Sequence, residues 1–120
     1  MSSPHIKSAA VAAALTALDE GRTPERSVLR EAVRTLLAVL AERAPGRSVE
    51  VRVPPYGAVQ CVPGPRHTRG TPPNVVEMSP EVWLALASGR LEWGEAVTEG
   101  RVRVSGVRAD LSVHLPLELG

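Results

Sequence analysis

The segment from Pro63 to Asn74 carries the side chains best suited to bind a charged group. It places Arg66, His67 and Arg69 among four prolines and two glycines, which restrict and bend the backbone. Arginine forks held by such a backbone would bind a carboxylate or a phosphate. The alternative is a polar loop or an edge strand whose charges and prolines discourage aggregation, and the composition favours it.

Cys61 is the single cysteine of the chain and lies in an apolar, strand-like stretch next to Val62. A cysteine nucleophile needs a neighbour that stabilises the thiolate, and His67 is the only candidate close in sequence. A small buried apolar side chain is therefore the favoured interpretation. One cysteine cannot form an internal disulfide, so we expect a cytoplasmic location.

Other signatures of enzyme chemistry are missing from the sequence. His5, His67 and His114 are far apart, and none has metal-ligand spacing with a cysteine or carboxylate. No glycine-rich phosphate loop and no serine nucleophile motif occur. Three glutamates at helical spacing are interpreted as a solvated surface: Glu92, Glu95 and Glu99. We expect a protein that is not an enzyme and has no cofactor and no metal.

Composition limits the partners and the core. The 120 residues suffice for a single domain, 1–120, whose core must come from Val, Leu and Ala because there are no Phe, one Tyr and two Trp. The 14 basic and 13 acidic residues create no global field for nucleic acid, and few aromatics are present to stack on bases. We expect no nucleic-acid partner. Thirteen of the basic residues are Arg, which suggests a GC-rich bacterial genome.

Residues 1–46 are predicted to form an N-terminal two-helix region. The first helix, Ile6 to Glu20, is rich in alanine, ends at Gly21 and is too short to span a bilayer, so we expect no integral membrane association. Thr23 should cap the second helix, with Pro24 at its first position. One face of this helix is apolar: Leu29, Ala32, Val33, Leu36, Leu37 and Leu40. The opposite face carries arginines, interpreted as solvated rather than as a headgroup site: Arg26, Arg30 and Arg34.

The remaining elements follow from alternation and from helix boundary signals. Residues 48–53 and 58–62 alternate as two strands of an antiparallel hairpin, and Val75 to Met78 form another strand. Ser79, followed by Pro80 and Glu81, predicts a helix that Gly89 ends. A short helix over 91–99 and a strand over 101–105, with Val102 and Val104 on its buried face, should follow. Leu111 and Leu115 predict a closing helix before Pro116.

The order of these last elements, together with two stretches of sequence, resembles the sterol carrier protein superfamily. The stretches are Leu86 to Leu91, with the letters LASGRL, and Glu99 to Gly106, with the letters EGRVRVSG. The resemblance implies an α/β (α+β) fold with a mostly antiparallel sheet covered on one face by helices. It also implies a carrier or binding function for a lipid or fatty acyl group, lying between sheet and helices.

In that arrangement, one set of apolar side chains is expected to form the wall of the ligand site: Trp83, Leu86, Trp93, Val97, Leu111 and Leu115. Arg66, His67 or Arg69 would then meet a polar head. Each apolar residue has an equally good interpretation as plain core. The alternative function is a small accessory or protein-interaction module with a closed core, forming a homodimer through the alanine-rich first helix.

Overall fold

The computed structural model describes residues 8–64 and 74–119. The helices in this part of the chain are α1 (Ala9–Asp19), α2 (Arg26–Arg43), α3 (Pro80–Ala87) and α4 (Trp93–Thr98). The strands are β1 (Val49–Val53), β2 (Gly57–Cys61), β3 (Asn74–Met78) and β4 (Val102–Ser105). The predicted anion segment with Arg66, His67 and Arg69 lies outside the described residues.

The four strands form one mixed sheet in the order β2-β1-β3-β4. Strand β1 pairs antiparallel with β2 and parallel with β3, and β3 pairs antiparallel with β4. Two of the three pairings are antiparallel, so the predicted α+β fold with a mostly antiparallel sheet is confirmed. The predicted hairpin is confirmed as well, with Val51 opposite Val59.

The two faces of the sheet differ because side chains alternate along each strand. Val49, Val51 and Val53 of β1 are buried against the helices, in one core cluster with Val76 and Met78 of β3. The opposite face carries charges that pair on the sheet surface: Glu50 with Arg52, and Glu77 with Arg103, the latter at 3.8 Å. Helices α1, α2 and α3 pack on one another over the apolar face.

Strand β4 departs from the sequence expectation at one residue. Val102 is buried, but Val104, on the same face, is 42% exposed. Val104 lies opposite Val76 at the edge of the sheet, so it has a neighbouring strand on one side only. The alternation of the sequence correctly predicts that Val102 and Val104 share one face of β4. Val104 is nevertheless exposed, because no further strand of the described residues packs beside it at the edge of the sheet.

Helix α2 confirms the predicted apolar face and corrects the predicted start. All six predicted core residues are buried, because they follow the 3.6-residue period of the helix. The helix begins at Arg26 with Glu25 as N-cap, and not after Thr23. Pro24 lies before the helix and is buried, so it packs against the rest of the protein and is not part of the first helical turn.

The caps of the other helices follow the sequence signals. The Ser79 hydroxyl accepts a hydrogen bond from the backbone N–H of Val82 at 3.2 Å, with Pro80 at the first position of α3. Helix α1 begins at Ala9, three residues after the predicted start, because Ser8 is its extended N-cap and accepts from Val11. Glycines with positive φ, Gly21 and Gly100, follow α1 and α4 where the sequence predicts their ends.

The predicted closing helix over Leu111 and Leu115 is wrong. The chain makes a single turn in which the His114 N–H donates to the Leu111 carbonyl at 2.9 Å, and the Leu117 N–H then donates to Ala87 at the end of α3. Leu111 and Leu117 are both buried and hold this segment at each end. Two leucines four residues apart do not suffice to predict a helix here, because the proline at 116 prevents a second helical turn.

Buried Asn74 joins three segments at one end of the sheet. Its side-chain Nδ2 donates to the Ser48 carbonyl at 2.7 Å, and its Oδ1 accepts from the Arg108 N–H at 2.9 Å. The start of β1, the start of β3 and the turn after β4 are thereby tied together. The backbone also approaches closely here, since a Cβ on Gly46 would lie 2.1 Å from the Val62 carbonyl oxygen.

Candidate functional site

An open groove lies between the α3–α4 connection and the C-terminal segment. Its volume is about 330 Å³. We call it the Trp93 groove, and its lining residues are Gly89, Leu91, Glu92, Trp93, Gly94, Ser112, Leu115 and Pro116. The side chains of Leu91, Trp93, Leu115 and Pro116 supply its apolar surface. A groove of this size lies at the lower end of the range for small-molecule sites, about 300 to 1,000 Å³.

Local sequence explains why the α3–α4 connection leaves room for this groove. Gly89 follows α3 with a φ of 81°, a conformation that favours glycine. Gly89 lies close to the C-terminal segment: a Cβ added to it would lie 3.4 Å from the Cβ of Pro116. The N–H groups of Arg90 and Leu91 both bond to the carbonyl of Ala85, which turns the chain back toward α3.

Helix α4 then presents the indole of Trp93 to the groove. Glu92 is the N-cap of this helix, and Trp93 is its first residue. Trp93 packs against the core cluster and is half-buried. Across the groove, Leu115 is half-buried as well and lies between the two buried anchors, Leu111 and Leu117.

The structure brings together two of the residues expected in the wall and separates the others. Trp93 and Leu115 line the groove. Trp83, Leu86 and Leu111 have no exposed surface and lie in the core. Val97 is half-buried on α4 and does not line the groove.

The sequence interpretation missed several lining residues. Four of them have side chains and were not expected as ligand contacts: Leu91, Glu92, Ser112 and Pro116. Glu92 directly precedes Trp93 in the sequence, and Pro116 directly follows Leu115. The proximity of Pro116 to Gly89 has no signal in the sequence, since the two residues are far apart along the chain. Only the docking of the C-terminal segment on α3 brings them together.

A second groove lies on the other side of Pro116 and has a different character. Its volume is about 310 Å³, and it separates the C-terminal end of α2 from the C-terminal segment. Its lining residues are Leu40, Arg43, Ala44, Val113, His114, Pro116, Leu117 and Glu118. Pro116 is therefore a wall shared by an aromatic groove and a groove with charges of both signs.

Cys61 has the environment of a core residue. It is buried in β2, and this burial raises the pKa of its thiol from 9.0 to about 11. The thiolate that a nucleophile needs is therefore disfavoured near neutral pH. The interpretation of Cys61 as a small apolar side chain agrees with this position.

Two further properties concern metals and membranes. Across residues 8–64 and 74–119, no three His, Cys, Asp or Glu side chains come together as metal ligands. In the same ranges, no helix has both the length and the apolar character needed to cross a bilayer.

Comparison with known proteins identifies the family. The model of the family described as bacterial SCP ortholog, a sterol carrier protein family, matches residues 25–117. This match covers most of the chain, from the start of α2 to the buried Leu117, so the protein belongs to this family of sterol-carrier-like domains. A search of curated proteins gives no match.

Proposed function

We propose that the protein is a non-catalytic binding or carrier protein for a lipid or another hydrophobic small molecule, which binds at the Trp93 groove. The observation that carries the proposal is the pairing of Trp93 with Leu115 across an open groove of about 330 Å³. Membership of the sterol carrier family supports a lipid as ligand. The reduced, buried cysteine is compatible with a cytoplasmic location, which we include in the proposal.

The size of the groove limits the ligand that fits without movement. Sites of about 300 Å³ are at the small end for organic ligands, so a short chain or a compact ring system fits best. Trp83, Leu86 and Leu111 have no exposed surface, so a ligand in this groove does not reach them without a rearrangement of the core.

The proposal is tested with native mass spectrometry of the purified protein and thermal shifts against a lipid panel. Leu115→Ala should weaken binding of any active lipid, because it removes groove surface. Leu15→Ala is the matched control, since Leu15 is also half-buried against the core but lies on α1. Equal binding by both variants would place the ligand elsewhere, and no binding by any lipid would contradict the carrier function.

The second candidate function is an accessory or interaction module that forms a homodimer. The observation in its favour is the closed core, in which Trp83, Leu86 and Leu111 have no exposed surface. Small exposed side chains on α1, at Ala9, Ala12 and Ala13, would allow close approach of a second copy. Sedimentation equilibrium distinguishes the candidates: a dimer that Ala13→Glu dissociates, without any bound lipid, supports this second function.

A further inference from the structure

Among the residues that the structure describes, the Trp93 groove has one charged side chain in its lining, and it is an acid. Glu92 lines the groove together with Trp93, its neighbour in the sequence. Its backbone carbonyl accepts the first hydrogen bond of α4, from Ala96 at 3.0 Å. Within the part of the chain that the structure describes, its carboxylate forms no ion pair. Glu92 is thus available to a ligand.

A second carboxylate lies directly behind the rim of the groove. The Oδ1 atom of Asp110 accepts a hydrogen bond from the backbone N–H of Ser112, a lining residue, at 2.8 Å. This hydrogen bond lowers the pKa of Asp110, and the nearby His114 acts in the same direction. Asp110 is therefore negatively charged near neutral pH, and its hydrogen bond fixes the backbone of Ser112 in the groove wall.

Three cationic side chains of the described ranges near this end of the chain are engaged or line the other groove. Arg90 holds both carboxylate oxygens of Asp19, with its Nε and one terminal nitrogen each at 2.6 Å. His114 and Arg43 line the groove on the far side of Pro116, together with Glu118. Within residues 8–64 and 74–119, no Lys, Arg or His side chain lines the Trp93 groove.

We infer that the Trp93 groove selects apolar molecules that carry a protonated amine and disfavours those that carry a carboxylate. Glu92 supplies an opposite charge, and the face of the Trp93 ring attracts a cation by its quadrupole. An apolar body on the same molecule contacts Leu91, Leu115 and Pro116. This inference rests on the proposed function, since it specifies the ligand of the same groove.

The expected selectivity is modest because Glu92 is exposed to water. An ion pair that is exposed to water contributes little to the free energy of binding. We therefore expect Glu92 to change the affinity by about two- to fivefold. Ionic screening should reduce it further, since charges at a surface are screened over about 10 Å at 0.1 M salt. An alkyl alcohol of the same length, which has no charge, gives the reference affinity.

The experiment compares decylamine, decanol and decanoate, each titrated below its micelle concentration, with calorimetry and tryptophan fluorescence as readouts. We expect decylamine to bind about two- to fivefold more tightly than decanol, and decanoate to bind most weakly. Glu92→Gln should bring decylamine to the affinity of decanol. Glu95→Gln is the matched control, because Glu95 is exposed on the same helix and does not line the groove.

The outcomes separate this inference from the function on which it rests. Binding of decanoate as tight as that of decylamine, or a decylamine preference that survives Glu92→Gln, overturns the inference while the carrier function stands. Binding of none of the three compounds overturns the inference, and the lipid panel then tests the carrier function separately. A preference for decylamine that is lost in Glu92→Gln, kept in Glu95→Gln and reduced by added salt supports the inference. Thermal melting of each variant checks that it is folded.

Discussion

The indole N–H of Trp83, on α3, donates a hydrogen bond to the main-chain carbonyl of Val33, in the middle of α2, at 3.3 Å. The Trp83 side chain has no exposed surface. A buried indole needs a partner for its one polar group, and this contact provides it. The largest side chain of the core is thereby fixed in one orientation between the two helices.

The two tryptophans should differ strongly in their effect on stability. Trp83→Ala should lower the free energy of unfolding by about 3 to 5 kcal/mol, because it leaves a large cavity in the core. Trp93→Ala should cost clearly less, since its ring is only half-buried. Chemical denaturation measures both, and equal losses would contradict the different burial of the two rings.

The same two residues should differ in how they report a ligand. The sequence alone allowed either tryptophan to respond, whereas only Trp93 lines the groove. In a Trp93→Phe variant, the change in fluorescence on binding should disappear while calorimetry still detects binding. In Trp83→Phe the change should persist. A signal that follows Trp83 instead would indicate that the ligand reaches the core.

Ser79→Ala should reduce the free energy of unfolding by about 1 kcal/mol. The reason is the loss of the hydrogen bond that the Ser79 hydroxyl accepts from Val82 at the start of α3. Ser105→Ala is a control for the substitution itself, because Ser105 is exposed at the end of β4. If denaturation midpoints of the two variants coincide, the cap makes no measurable contribution.

Asn74→Ala should be one of the most damaging polar substitutions in the chain. It would leave the Ser48 carbonyl and the Arg108 N–H without their partner, and unsatisfied buried groups cost about 1 to 3 kcal/mol each. We expect a loss of about 2 to 4 kcal/mol in urea denaturation. Gln60→Ala, on the exposed side of β2, should change the midpoint little.

Cys61 should make stability decrease in alkaline solution. Its folded-state pKa, about 11, lies above the ordinary value of 9.0, so the folded protein holds a proton that the unfolded chain releases. The stability due to the neutral thiol is complete below pH 9 and is lost as the pH rises toward 11, with a slope of up to about 1.4 kcal/mol per pH unit.

The measurement for this prediction is the difference between the native protein and Cys61→Ala. Subtracting the two urea-denaturation profiles across that alkaline range removes the contribution of all other groups that titrate there. The difference should shrink as the pH rises. A difference independent of pH would mean that the thiol is not held in its neutral form. At pH 8, the thiol should also react with a disulfide reagent only as fast as the protein opens.

Local chemistry in the sequence determined most of the secondary structure. The apolar period of α2, the alternation of β1 and the cap at Ser79 all act over a few neighbouring residues, so each could be predicted without knowledge of the fold. The two sequence stretches shared with sterol carrier proteins likewise identified the family, which the match over residues 25–117 confirms. The failed prediction of a helix at Leu111 and Leu115 rested on only one apolar pair.

Only the tertiary structure decided which of the apolar residues lie at a surface. Trp83 and Trp93 are both aromatic residues on short helices, and the sequence predicts both in the wall of the ligand site. The packing of α3 against α2 buries one, while the position of α4 beside the C-terminal segment leaves the other in a groove. Long-range contacts of this kind, such as the hydrogen bond from Leu117 to Ala87, depend on how whole elements dock. The composition of the groove, in which Glu92 is the one charged residue that the described part of the chain contributes, follows from that docking.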